Sequence, residues 1–110
     1  MISFEITDEN FAFKMEILNA LSTVLDPELQ VNIIDLGLVY DIAVLKSEQS
    51  IQISMTLSSP HCPMGGAIVN SVENCISHYF PLYKPQVNVV WEPAWSFEQI
   101  TEEGKKQLGM

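Results

Sequence analysis

The chain has 110 residues, a length that suits one domain built around a single core, expected to span residues 1–110. Five lysines, no arginine and fourteen acids give a formal net charge of −9, a surface that repels phosphates and so argues against nucleic acid and anionic membrane as partners. Hydrophobic residues make up 47% of the chain, yet no apolar run approaches the roughly 20 residues of a membrane span, and two cysteines without a targeting segment point to a reducing cytoplasm.

In chain order, Thr7 or Asp8 is positioned to cap a first helix over Phe11–Leu25, in which Ile17, Leu18, Leu21, Val24 and Leu25 recur at helical spacing. Asp26 should end it, because a residue before proline is pushed out of the α region. A loop through Asp26-Pro27-Glu28 then runs to Asp35-Leu36-Gly37, where Gly37 can supply a left-handed turn. Leu38–Leu45 reads as a strand. Ile51, Ile53, Met55 and Leu57 alternate with polar residues in a second, and the short connection predicts an antiparallel hairpin.

A second helix is expected from about Pro63 to Tyr79, with Ile68, Val72, Cys75, Ile76 and Tyr79 as its apolar stripe. Pro81 and Pro85 bound a loop, and Val87, Val89 and Trp91 alternate in a third strand. Ser96 with Gln99 three residues later forms a capping-box pattern before a short terminal helix, with Gly109 past its end. The order α-β-β-α-β-α describes an α/β (α+β) two-layer sandwich, a small three-stranded mixed sheet with helices on one face. Leu18, Leu21, Ile51, Ile53, Met55, Val72 and Val89 should share its core.

The chemistry gathers where the second strand meets the second helix, at Thr56-Leu57-Ser58-Ser59-Pro60-His61-Cys62-Pro63. Pro63 fits a first helical turn, which places Cys62 near the N-cap, facing unpaired N–H groups that favour thiolate. His61 adds a positive charge or a second ligand nitrogen. Cys75 lies about 20 Å away along a continuous helix, too far to share a disulfide or a metal with Cys62, and on the apolar stripe it serves as a small hydrophobe. Asp26 and Glu28 follow the first helix in a loop stiffened by Pro27. They are either solvated acids of a helix-ending turn or carboxylates that orient His61, accept a proton or join a metal's ligand set. Asp35 reads as a turn residue, and Trp91 and Trp95 as core or interface anchors.

Four blocks in order, Leu25-Asp26-Pro27-Glu28-Leu29, Asp35-Leu36-Gly37-Leu38-Val39, Met55 through Pro63, and Pro93-Ala94-Trp95-Ser96, resemble the PaaD/SufT-like metal–sulfur cluster assembly family. That family is related to the MIP-eighteen type proteins of the eukaryotic cytosol. The resemblance covers about Met15 to Leu108. It implies a small α/β fold, a role in assembling or delivering iron–sulfur clusters, and partners among the assembly machinery and client apoproteins. Some relatives serve multicomponent oxygenases of aromatic-acid oxidation. The family's functional cluster maps onto Asp26, Glu28, Thr56, Ser58 and Cys62. Ser58 stands where threonine is usual, and His61 where a small residue is common.

The resulting expectation is a non-enzymatic accessory factor that contacts iron or an iron–sulfur cluster transiently through Cys62, with His61 as a second metal ligand. Clusters commonly take about four ligands, mostly thiolates. One chain offers a single plausible thiolate, so binding needs a homodimer, a partner apoprotein or a small thiol. Two rival readings are an enzyme with Cys62 as nucleophile and His61 or Asp26 as base, and an adaptor subunit of an oxygenase system.

Overall fold

The alternation of Ile51, Ile53 and Met55 marks the centre of the sheet. In a computed structural model, which describes residues 10–27, 29–57 and 65–109, the strand Ser50–Met55 (β2) lies between β1 (Val39–Leu45) and β3 (Lys84–Val89). β1 pairs antiparallel with β2 across the turn Lys46–Gln49, and β3 pairs parallel with β2, so the sheet is mixed. A parallel neighbour needs a crossover, which here contains the helix Gly65–Tyr79 (α2). The other long helix is Phe11–Leu21 (α1).

The two helices cover one face of the sheet. Ile17 and Leu21 of α1 and Val72 and Ile76 of α2 are each fully shielded from solvent, as are Ile42, Ile51 and Ile53 from the strands. The opposite face carries Asp41 and Ala43 from β1, Gln52 and Ser54 from β2, and Gln86 and Asn88 from β3 in register. These residues remain half-buried or exposed. Gln52 donates to Gln86 across that face at 3.1 Å. The expected α+β sandwich and its element order are therefore present, with one addition near the C-terminus.

That addition is a 3₁₀ turn, Phe97–Gln99, placed before the terminal helix Glu102–Gln107 (α3). The Ser96 and Gln99 capping box is formed, but it closes the 3₁₀ turn and not the helix. Thr101 caps α3 instead, accepting from the Gly104 N–H at 3.1 Å. Glu102 and Glu103 begin α3 and Lys105 and Lys106 end it, so both ends complement the helix dipole.

Several sequence expectations are corrected. α1 stops at Leu21 rather than Leu25. The Ser22 and Thr23 hydroxyls bond the carbonyls of Asn19 and Ala20, at 2.5 and 2.7 Å, and the Thr23 and Val24 N–H groups close tighter turns onto Ala20 and Leu21. Such local side-chain bonds compete with helix propagation. Val24 still reaches the core, while Leu25 forms an isolated bridge with Asn32 and is 52% exposed. Tyr79 ends α2 at the surface and is not part of its buried stripe.

Pro85 lies inside β3, opposite Ile51. An edge strand tolerates proline because the side without a neighbour needs no N–H donor. β3 ends at Val89, so Trp91 falls beyond it, and Val89 is exposed because it sits at the end of an edge strand. The expected caps Thr7 and Asp8 and the helix start at Pro63 lie outside the described residues.

Candidate functional site

Of the candidate site residues, Asp26 and Thr56 are described; Glu28, Ser58, His61 and Cys62 lie outside the described residues. Asp26 is not a solvated loop acid. Its residue is completely buried, its Oδ1 accepts from the Leu29 N–H at 3.1 Å, and its backbone N–H donates to Val31 at 2.9 Å. The Asp26 carbonyl also accepts from the Gln30 N–H at 2.8 Å, and Gln30 takes a left-handed φ of 60° to close this turn. A carboxylate folded back on its own backbone in this way is held at one position.

Thr56 is 1% exposed and follows the last residue of β2. Its Oγ1 has no hydrogen-bond partner among the described residues. A buried hydroxyl gains from a bonding partner, since leaving one unmatched costs about 1–3 kcal/mol.

A relay of backbone hydrogen bonds links the two residues' segments. The Ile33 N–H donates to Val24, the Leu38 N–H to Ile33, and the Thr56 N–H to Leu38, at 2.9, 3.1 and 2.8 Å. The segment that carries Asp26 is thus stitched, through the Ile33–Leu38 turn, to the end of β2. Composition alone left Asp26 between a surface turn and a site residue. Its burial rules out a solvated acid, while its bonds to Leu29 and Gln30 show it closing the turn that follows α1.

The turn between them also receives the C-terminal segment, a role that sequence reading missed. Asp35 Oδ2 accepts from Asn32 at 2.7 Å, and its Oδ1 accepts from the Thr101 hydroxyl at 2.9 Å. The Asp35 carbonyl accepts from the Thr101 N–H at 2.8 Å. Trp95 Nε1 donates to the Leu36 carbonyl at 2.6 Å. Gly37 has φ +73°, and any Cβ there would meet the Gln99 carbonyl oxygen, so glycine serves both the turn and the close approach. The ordered pairing of Asp35-Leu36-Gly37 with Trp95-Ser96 was the available signal.

Thr101 accepts from the α3 backbone and donates to Asp35, so its loss breaks two bonds. Thr101→Ala should lower stability by about 1–2 kcal/mol, the upper part of the range for losing a helix cap. Thr101→Ser should stay near wild type. Urea unfolding of the three proteins checks this, and an alanine variant as stable as wild type would remove the tie's importance.

Cys75 is 9% exposed on α2, and its Sγ donates to the Ala20 carbonyl at 3.3 Å. Burial pushes its thiol above the ordinary value, against a smaller opposing pull from the Thr23 side chain. It should therefore resist alkylation near neutral pH and react only on unfolding, while Cys62 is labelled first. Mass spectrometry of iodoacetamide-treated native protein reads this directly; equal labelling of both cysteines would contradict it. His78 is exposed, with its ring edge-on to Tyr79 at 4.9 Å. Among the described residues, no group of three or more His, Cys, Asp or Glu side chains is arranged to hold a metal.

Taken together, a helix-covered mixed sheet, a buried aspartate after α1 and a buried threonine where β2 runs toward a cysteine-bearing segment define a class of small α+β protein. A family model described as iron–sulfur cluster assembly protein matches residues 14–89. The chain is 36% identical to the Fe-S protein maturation auxiliary factor YitW of Bacillus subtilis, over 90% of this chain and 96% of that protein. It is 37% identical to the Fe-S protein maturation auxiliary factor SufT of Staphylococcus aureus, over 79% and 98%. A crystal structure of a domain of unknown function from Bacillus anthracis superposes with a TM-score of 0.84 at 41% identity, covering 90% of this chain and 93% of that one. A conserved hypothetical protein from Thermotoga maritima gives a TM-score of 0.72 at 30% identity, over 99% and 100%. The chain belongs to the SufT-like iron–sulfur cluster assembly family.

Proposed function

We propose that this protein is an accessory factor that assembles or delivers iron–sulfur clusters, with Cys62 as the transient contact to the iron or cluster it carries. The observation that supports this best is the backbone relay from Val24 to Thr56, because it ties the buried Asp26 to the strand end that leads toward Cys62. In this reading the thiolate supplies the soft ligand that iron–sulfur cargo requires. Asp26, Glu28, Thr56 and Ser58 belong with Cys62 to the cofactor-binding set in this reading, and His61 offers a nitrogen ligand. One thiolate per chain cannot close a cluster's ligand set, so the cargo is shared with a client apoprotein, a second copy or a small thiol. A shared, incomplete ligand set suits hand-over better than permanent storage.

The setting of this work is the cytoplasm. Among the described residues no helix is long and apolar enough to cross a membrane, and the net charge of −9 disfavours anionic lipid and nucleic acid. Residues 1–110 act as one unit in this reading.

The test is anaerobic reconstitution with ferrous iron and sulfide, followed by native mass spectrometry of the full chain and of Cys62→Ser. Iron bound to the wild type and absent from the variant is the expected result. Iron retained by the variant would overturn the assignment of Cys62. Stoichiometric acylation of Cys62 by an activated ester, with no iron bound, would point instead to a cysteine-nucleophile enzyme. A variant fully active in client maturation would point to an adaptor.

A further inference from the structure

Between the polar face of the sheet and the segment after β3 lies an open cleft of ≈ 480 Å³, lined among others by Tyr40, Ser54, Val90, Glu92, Pro93 and Gln99. Several of these side chains are already committed to one another. The Tyr40 hydroxyl donates to the Pro93 carbonyl at 2.7 Å and accepts from Gln99 Nε2 at 3.3 Å, and Gln99 Oε1 accepts from the Ser96 N–H at 2.8 Å. That network braces one wall of the cleft. The Glu92 carboxylate and the Ser54 hydroxyl have no hydrogen bond or ion pair among the described residues, so they remain to meet a guest.

Glu92 is the one charged residue among those lining the cleft, and no lysine or arginine lines it. An anion is repelled there and a cation attracted. The lining is also mixed in character, since Val39, Val90 and Pro93 stand beside Glu92. A long basic side chain matches it, with its methylene stem against apolar groups and its charged head at the carboxylate.

The same segment exposes large apolar surface. Trp91, between two lining residues in the chain, is 46% exposed, and Phe97, stacked at a tilt on Trp95, is 57% exposed. A small cation alone would leave these rings in water. A protein segment would cover them, and aromatic anchors near a pocket are what such interfaces use.

We propose that this cleft docks a segment of a partner protein, receiving an arginine or lysine side chain whose head pairs with Glu92 and whose stem lies against Val90 and Pro93. The Val90 N–H donates to the carbonyl of Met55, the last residue of β2, at 2.8 Å. A partner held there is therefore docked at the strand end that continues to Thr56. The proposal goes beyond cargo binding and does not depend on Cys62.

The experiment is a titration of the full 15N-labelled chain, followed by NMR, with the probe peptide acetyl-Leu-Arg-Leu-amide. Its uncharged counterpart carries citrulline in place of arginine, and arginine amide serves as the small cation. The arginine peptide should shift the backbone signals of Tyr40, Ser54 and Glu92. The citrulline peptide should bind at least about tenfold more weakly, and Glu92→Gln should weaken the arginine peptide by a similar factor, as loss of a charge-assisted hydrogen bond does. Cys62→Ser should bind the peptide as wild type does, which separates failure of docking from failure of cargo binding. Equal binding of the two peptides, shifts confined to other surfaces, or no binding overturns the proposal. Arginine amide binding as tightly as the peptide overturns it in favour of a free-cation site, and weakened binding by Cys62→Ser overturns its independence of the cargo site.

Discussion

Cys62→Ser should reduce iron or cluster binding by more than about 100-fold, beyond what changes to groups that merely support a metal ligand cost. The chemical reason is the atom itself. A cysteine thiol can ionise at accessible pH and is a soft, polarisable ligand, whereas a serine hydroxyl stays protonated and hard. The substitution is nearly isosteric, so folding should be preserved, and the melting transition of the variant should match the wild type. The decisive measurement is iron and sulfide per chain after anaerobic reconstitution, read alongside that melting transition. A folded variant that still binds iron stoichiometrically would mean that the cargo is held elsewhere.

Leu21→Ala should destabilise the protein by about 2–5 kcal/mol, the usual cost of removing a large side chain from a packed core. Leu21 is the last residue of α1 and fully buried. Immediately after it, the hydroxyls of Ser22 and Thr23 turn the chain toward Val24, whose carbonyl starts the relay to Thr56. A cavity at Leu21 therefore weakens the packing of α1 and the base on which the Asp26 turn is built. The variant should unfold at lower urea with an unchanged m-value, since the area exposed on unfolding hardly changes. A loss below about half a kcal/mol, the range of neutral surface changes, would show that α1 does not depend on this contact.

The order of elements and the burial of Ile51, Ile53, Met55, Leu18, Leu21 and Val72 were legible in the chain because each rests on a local period, of 2 or about 3.6 residues, that one buried face imposes. The Gly37 turn and the Ser96–Gln99 capping box were legible from local turn and cap chemistry, although the box closes a 3₁₀ turn and not the terminal helix. The end of α1 was not, because the competition between Ser22 and Thr23 hydroxyls and the helix ladder is decided by fractions of a kcal/mol per bond. Leu25, Tyr79 and Val89 misled because hydrophobicity says that a residue prefers burial, and only topology says whether a neighbour arrives to cover it.

The candidate site divides along the same line. The residue types Asp26, Thr56 and Cys62, and their place in four ordered blocks, are properties of the sequence, and they carried the family assignment. The burial of Asp26, the partnerless hydroxyl of Thr56 among the described residues and the relay between their segments depend on groups up to tens of residues apart. So does the docking of Thr101 and Trp95 onto Asp35 and Leu36, pairs separated by 66 and 59 positions. Sequence alone determined which segments become helix or strand, since those choices follow from neighbouring residues. Tertiary structure decided which polar groups lose water and which partners they meet, since desolvation belongs to the assembled fold and to no single stretch of it.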